Sequence, residues 1–519
     1  MSPASSRHAT SSALLLAVCL AALAMPISFT GPAVTLPLIR ASLGGSPVQA
    51  HWVTNAFMLS FGASLMAAGA LADAFGRRRV FLGGLALNVC ACVALAAAPG
   101  ILSFEILRGL QGLACAGAFA GGTAGLAQAV SGAARTRAFS LIGTSFGAGL
   151  ALGPLLSAWL GGLWGWPSVV LCPGAISLLA LCIGVGCMDE SRHPHAAGLD
   201  WPGALSFTVA LSLLTAAVLQ APASGWTGPW VLVALGGSVG AGAVFVATER
   251  HLLREGRLPM LDLSLLRYPR FVGVQCLAAA PAYSFVVLLV LLPYRFIGLE
   301  GRDAVDAGLW MLLLSAPLLV MPTVAAVLSR RVSAGRISAG GLLLCAVGLM
   351  WLSRCPPGST GWVLAGPLLS IGVGIGLPWG LMDGLAVSVV PRERAGMAAG
   401  IFNTVRVAGE GVALALVGAG LTALVALHLS SQRSDLHGSP VPTPWVAAAQ
   451  SVTTGDMPQA LALLPGLGRA AVLEAYGHAF STLLQILAGA TVVTALVILG
   501  LLRGTAHEGD ATQAVPQRV

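Results

Sequence analysis

Apolar residues run along this chain in long unbroken stretches, without the alternation of a half-buried strand or the one-sided stripe of a soluble helix. The first stretch extends from Ala13 to Leu38, behind Arg7 and His8. Stretches of about 20 residues, the length at which a helix crosses a bilayer core, recur near 51–72, 80–98, 101–127, 138–161, 166–188, 201–221, 229–248, 270–293, 305–328, 337–353, 361–386, 397–427 and 480–502. The pattern therefore predicts fourteen spans. Ala22 to Ala24 imitate a secretory cleavage site, but the apolar run continues past them and is read as the first span. Two polar stretches break the rhythm: a basic one from Glu249 to Arg270, and one near 428–477 that holds the turn-rich Gly438 to Pro444. The second is expected to form a partly helical external cap and is assigned no chemistry.

Composition strengthens this reading. Hydrophobic residues make up 56%, charged residues 9% and mean hydropathy is +0.87, against about 25% charged residues in soluble domains. The 66 glycines and 30 prolines suit packed membrane helices, which tolerate both. The fold class is an all-α polytopic membrane protein. All 27 basic residues are Arg, a bias that suggests GC-rich coding DNA and a bacterial source. A net charge of +8 raises nucleic acid as a partner, but the arginines are scattered through short loops instead of forming one face. With the N-terminus inside, nineteen arginines fall on the inner side, six on the outer side and two within spans. That satisfies the positive-inside rule and predicts an inner (plasma) membrane protein with both termini cytoplasmic. Nine of the ten cysteines lie in apolar runs and read as packing residues, with no metal or disulfide role.

The chemistry is concentrated in a few motifs. After the second span comes Gly69-Ala-Leu-Ala-Asp73-Ala-Phe-Gly76-Arg77-Arg78-Arg79, an acidic and basic turn similar to the loop signature of the major facilitator superfamily. Asp73 can pair with an Arg there and act as a latch whose making and breaking tracks conformation. In the fourth span Arg108, within Leu107-Arg108-Gly109-Leu110-Gln111-Gly112, resembles the second motif of that superfamily. An Arg inside a span costs about 2.5–3.5 kcal/mol on insertion scales and so looks for a partner; Glu105, three residues earlier, is the expected one. The fifth span carries Gly149, Gly153 and Pro154, which look like the antiporter motif of export branches, with Ser157-Ala158 where that motif ends in two glycines. Small residues at every fourth position, as in Gly117-Gly121-Gly125, allow close helix approach.

Across all spans the chain most resembles the fourteen-span drug:proton antiporter branch, the EmrB/QacA-like transporters. The resemblance rests on the extra helix pair near 201–221 and 229–248, on Val390-Pro391-Arg392-Glu393-Arg394-Ala395-Gly396-Met397, and on Gly400 through Asn403, Thr404 and Arg406. It implies a six-helix bundle over 1–188, two inserted helices over 189–249, a cytoplasmic linker over 250–269, a second six-helix bundle over 270–503 and a tail over 504–519. It also implies a central cavity lined by spans 1, 2, 4, 5, 9, 10, 12 and 13, which would gather Arg108, Asp383, Arg406 and Glu410 around one space. Relatives in this branch often carry an Asp in the first helix upstream of a Leu-Pro pair. Aligning on Leu36-Pro37 puts Ser28 at that position, so the first helix offers no titratable group.

Asp383 and Glu410 are then the candidate proton carriers. Asn403, Arg406 and Glu410 share one helix face, with Arg406 and Glu410 in i,i+4 contact and the arginines tuning the acids. The implied activity is export of an amphipathic organic compound by proton antiport, with alternating access between the two bundles. Its partners are the bilayer, protons and a small organic substrate; no nucleic acid, metal or cofactor is required, and a periplasmic adaptor is left open. Uptake or facilitated diffusion is the alternative. Neither a Walker sequence nor a convergent nucleophile, metal or base set is present to support a pump or an enzyme, and the longest loop is too short for a sensor module. Phe57, Met58, Phe61, Trp379 and Phe402 read first as packing or lipid-facing residues, and the substrate itself is unreadable.

Overall fold

The computed structural model describes residues 3–130, 132–191, 200–255, 265, 267–359, 361–390, 395–431 and 443–502. The apolar runs become fourteen long helices: α1 (Pro3–Val34), α2 (Pro47–Phe75), α3 (Arg77–Ala96), α4 (Ile101–Ala129), α5 (Gly132–Trp164), α6 (Trp166–Cys187), α7 (Trp201–Ser224), α8 (Pro229–Arg254), α9 (Pro269–Leu299), α10 (Ala304–Leu328), α11 (Ala334–Leu352), α12 (Gly361–Ser388), α13 (Ala395–Ser431) and α14 (Arg469–Leu501). Thirteen are long and apolar enough to cross a membrane. The other, α4, is diluted by Glu105, Arg108 and Gln111, yet it has 29 residues and lies between α2 and α3. It completes the fourteen expected spans. The tail 504–519, half of the linker 250–269 and Pro391 to Arg394 lie outside the described residues.

Local chemistry sets the helix ends. Ser46 caps α2 reciprocally with Gln49, and Gly76, at φ +118°, makes the one-residue break between α2 and α3. In α9 the backbone widens to π-helix over Ala282–Val286 and Tyr294–Leu299, each time directly after a proline, Pro281 and Pro293. A proline has no N–H to donate, and a wider turn accommodates the missing bond.

Helices α1 to α6 pack on one another, as do α9 to α14. The two sets meet along α2 with α13 and α5 with α10, while α7 pairs with α8 and leans on α2 and α13. Glycine permits both crossings: a Cβ on Gly62 would stand 2.5 Å from Ala408 Cα, and one on Gly308 would stand 2.9 Å from Leu155 Cα. Beside the second crossing, Ser315 Oγ donates to the Ala151 carbonyl at 3.2 Å.

One face of the bundle, here the Arg77 face, holds the turn from α2 to α3. The opposite Arg40 face carries a short helix, Leu36–Leu43, and two more, Thr443–Thr453 and Met457–Leu463. The described part of the stretch over 428–477, expected to be partly helical, is largely helical, and α14 starts at Arg469 rather than near residue 480. Arg40 joins this cap to the first helix set, through an ion pair with Asp456 at 3.1 Å and a hydrogen bond to Gln459 at 2.9 Å.

Candidate functional site

The Arg406 guanidinium lies where the two helix sets face each other. From α13 its neighbours are Phe402 and Asn403, from α12 Trp379 and Asp383, and from α5 Phe146. Its carbon stands 5.6 Å from the Phe402 ring centre, 5.9 Å from Trp379 and 6.0 Å from Phe146, all within cation–π range. Phe146 stacks on Trp379 at 6.4 Å, and Phe285 of α9 meets Trp379 edge-on. Nη2 of Arg406 donates to Asn403 Oδ1 at 2.9 Å, and Nη1 approaches Asp383 Oδ1 at 3.5 Å. The two partners differ in exposure: the Arg406 side chain is 8% exposed and that of Asp383 59%.

This geometry corrects the expected Arg406–Glu410 contact. Arg406 gives its donors to Asn403 and Asp383, so no hydrogen bond or ion pair runs to Glu410 one turn further along α13, although the Arg406 charge still acts there. Glu410 is buried and forms no hydrogen bond or ion pair with a described residue. It sits on the stretch of α13 where Gly411 touches Met58 and Leu59 of α2.

Arg108 and Glu105 are also placed differently from expectation. Arg108 is fully buried among α1, α2 and α4, donating to the carbonyls of Val53 at 2.9 Å and Ser28 at 2.8 Å and to Gln111 Oε1, with its guanidinium 4.6 Å above Phe57. None of its contacts goes to Glu105, whose Oε1 has no hydrogen-bond partner, or to Arg406. Arg108 is fully buried and gives its donors to α1, α2 and its own Gln111, whereas Glu105 is only partly buried. Ser28 takes part through its backbone carbonyl, while its hydroxyl accepts from Gln111 at 3.4 Å. Arg108 is therefore a tie between helices, outside the Arg406 cluster, and its Nη2 is unpaired.

The turn after α2 is organised within the first helix set. Asp73 accepts from Arg77 at 2.8 and 3.0 Å, Arg77 also donates to Gln128 at 2.7 Å, Arg78 to the Val185 carbonyl at 3.0 Å, and Arg79 pairs with Glu190 at 3.5 Å. A Cβ on Gly76 would strike Glu190, whereas one on Gly69 would meet nothing within 4 Å. On α5, Gly149 packs on the Leu23 carbonyl and Pro26, Gly153 on Thr30, and Ser157 lies beside Gly31, so one small-residue stripe receives α1. Ala158, where the motif has glycine, faces Gly308 of α10, which supplies the missing space. Pro154 lies inside α5 between these two contacts.

Sequence reasoning did not single out Phe146 or Phe285, since a lone Phe in a span has no local signature. It also passed over Glu300, which binds Arg295 and Arg302 at 2.8 Å each on the Arg40 face; the spacing Arg295, Glu300, Arg302 was the available signal. Phe57, Met58 and Phe61 are core residues of α2. Among the described residues, no group of three or more His, Cys, Asp or Glu is placed to hold a metal ion.

Comparison with known proteins adds to this geometry. Residues 16–414 match the family model described as Major Facilitator Superfamily. The chain is 30% identical over 401 residues to the multidrug resistance protein Stp of Mycobacterium tuberculosis, covering 76% of this chain and 73% of that protein. It is 32% identical over 423 residues to the cephamycin export protein CmcT of Amycolatopsis lactamdurans, covering 79% and 85%. The crystal structure of an auto-inhibited POT family peptide transporter aligns with a TM-score of 0.60 over 95% of this chain and 97% of that one, at 15% identity. At that identity the likeness is one of fold alone.

Proposed function

The chain belongs to the Major Facilitator Superfamily, and from that premise we propose that it exports a small amphipathic organic compound by proton antiport, from an inner (plasma) membrane with both termini cytoplasmic. It is a multi-pass membrane transporter, not an enzyme. Its relatives include a multidrug resistance protein and an antibiotic export protein, which supports outward movement of a comparable cargo. The observation that carries the reading is the Arg406 cluster. Rings from α5, α12 and α13 surround a guanidinium on α13, with an α9 ring against Trp379, one exposed carboxylate beside it, and one buried carboxyl a turn further on that makes no hydrogen bond or ion pair to a described residue.

Alternating access would expose this cluster to each face in turn, with the α2–α13 and α5–α10 crossings as pivots. The aromatic faces take the apolar body of the cargo, and Asp383 and Glu410 carry charge and proton. Glu410 is the better proton carrier, because it is buried and makes no hydrogen bond or ion pair to a described residue, and a charge buried so is costly.

Everted membrane vesicles test the proposal. Uptake of a fluorescent amphipathic dye should require an acid interior, and Asp383→Asn and Glu410→Gln should lose the response to the pH gradient. Full coupling in both variants would remove these acids from the mechanism. Dye movement that ignores the gradient in the parent protein would point to facilitated diffusion.

A further inference from the structure

Resting on the export reading, we infer that Arg406 is a swinging cation that exchanges Asp383 for Glu410 when cargo binds, and that the cargo carries one positive charge per proton. Three observations lead there. Arg406 holds Asp383 by a single 3.5 Å contact, with one hydrogen bond to Asn403, although a guanidinium has five donors and a carboxylate can take two of them at once. Asp383 is 59% exposed, so a soluble cation can reach it. Glu410 is buried, with no hydrogen bond or ion pair to a described residue, one turn further along α13, about 6 Å up the axis, within the sweep of an arginine side chain. The charge that acts on it is that of Arg406 on its own helix, and among the described residues no ion pair or hydrogen bond from a neighbouring helix reaches it. On α12 the charged neighbour of Arg406 is Asp383.

Charge balance then decides the sign of the cargo. Before binding, the site holds Arg406 (+1), Asp383 (−1) and Glu410 protonated (0), a net charge of zero. If a cationic cargo pairs with Asp383, Arg406 is released and turns to Glu410. The Glu410 O–H bond breaks, its proton leaves to the water of the open face, and the site again sums to zero. The same exchange with a neutral cargo leaves a net −1, and with an anion −2, in a semi-enclosed site where uncompensated charge is heavily penalised. An anion would also bind Arg406 itself and hold it away from Glu410. One cation for one proton is an electroneutral exchange, so transport should follow the pH gradient and ignore the membrane potential.

The test uses three probes of one shape, 2-naphthylmethylammonium, 2-naphthalenemethanol and 2-naphthoate, added to purified protein in weakly buffered nanodiscs with a pH indicator. The ammonium probe should release about one proton per molecule bound, and the other two none. In Glu410→Gln the ammonium probe should bind at least ten-fold more weakly and release no proton. Arg406→Lys, which retains the charge, should keep partial release, whereas Arg406→Gln should bind the probe with no release. The inference is overturned if the alcohol or the carboxylate releases as many protons, if the ammonium probe releases none up to its solubility, or if Glu410→Gln still releases one. Because this readout needs no gradient and no direction, one-to-one release without uphill vesicle transport would defeat the export reading alone. Gradient-driven export of the neutral or anionic probe would defeat the inference alone.

Discussion

Adding one methyl group at the α2–α13 crossing tests whether that contact is as close as it looks. The Cβ of Gly62→Ala would lie 2.5 Å from Ala408 Cα, 2.5 Å from Ala408 N and 2.8 Å from Val407 C. Carbon atoms pack at about 3.5–4.0 Å, so the shortfall is about 1 Å. The atoms in the way are backbone, which cannot rotate aside, and relief requires the two helices to separate along their crossing. Overpacking of this kind costs about 1–3 kcal/mol. If the strain acts mainly on unfolding, heat inactivation should accelerate by about 5- to 100-fold. The assay is the half-life of gradient-driven dye transport in proteoliposomes held at a fixed elevated temperature. Gly69→Ala is the control, because its Cβ meets nothing within 4 Å, and it should match the parent half-life. If Gly62→Ala is as durable and as active as the parent, the reasoning that helix backbones touch at this point is refuted. If Gly69→Ala keeps its half-life but transports slowly, Gly69 is needed in a state where α2 has a closer neighbour.

Glu300→Gln strands two arginines on the Arg40 face and should cost about 3–5 kcal/mol. Asp73→Asn, at a half-exposed pair, should cost about 0–1 kcal/mol; comparable losses of thermal stability in the two would contradict the burial argument. Arg108→Gln removes charged donors from two backbone carbonyls and should destabilise by about 2–4 kcal/mol, while Glu105→Gln should stay within about 0.5 kcal/mol. Equal effects in scanning fluorimetry would revive a Glu105–Arg108 pair. Arg40→Gln or Asp456→Asn loosens the cap, and a loss near 1 kcal/mol corresponds to about five-fold faster labelling of Thr54→Cys by an impermeant maleimide over the native-cysteine background. The reversed pair, Arg40→Asp with Asp456→Arg, should restore protection; no change in any of the three would remove the cap from control of that face.

The number and position of the spans were legible from sequence because a bilayer sets the length of an apolar run regardless of what packs beside it. Even α4, the least apolar, was marked by its apolar stretch near 101–127. Contacts within one turn of a helix were legible as well, and Asp73 with Arg77 is such a pair. The partners of Arg108 and Arg406 were not. Spacing along one helix nominated Glu105 and Glu410, but partner choice depends on where each side chain points and on which neighbouring helix has rotated a carbonyl or carboxylate into reach. Val53, Ser28 and Asp383 won on that ground. Phe146 and Trp379 are 233 residues apart in sequence and became neighbours only when α5 and α12 closed on one another. The sequence alone thus determined a fourteen-helix membrane protein and nominated its charged residues; the tertiary structure decided which charges meet, because helix rotation and crossing distance leave no trace in local spacing.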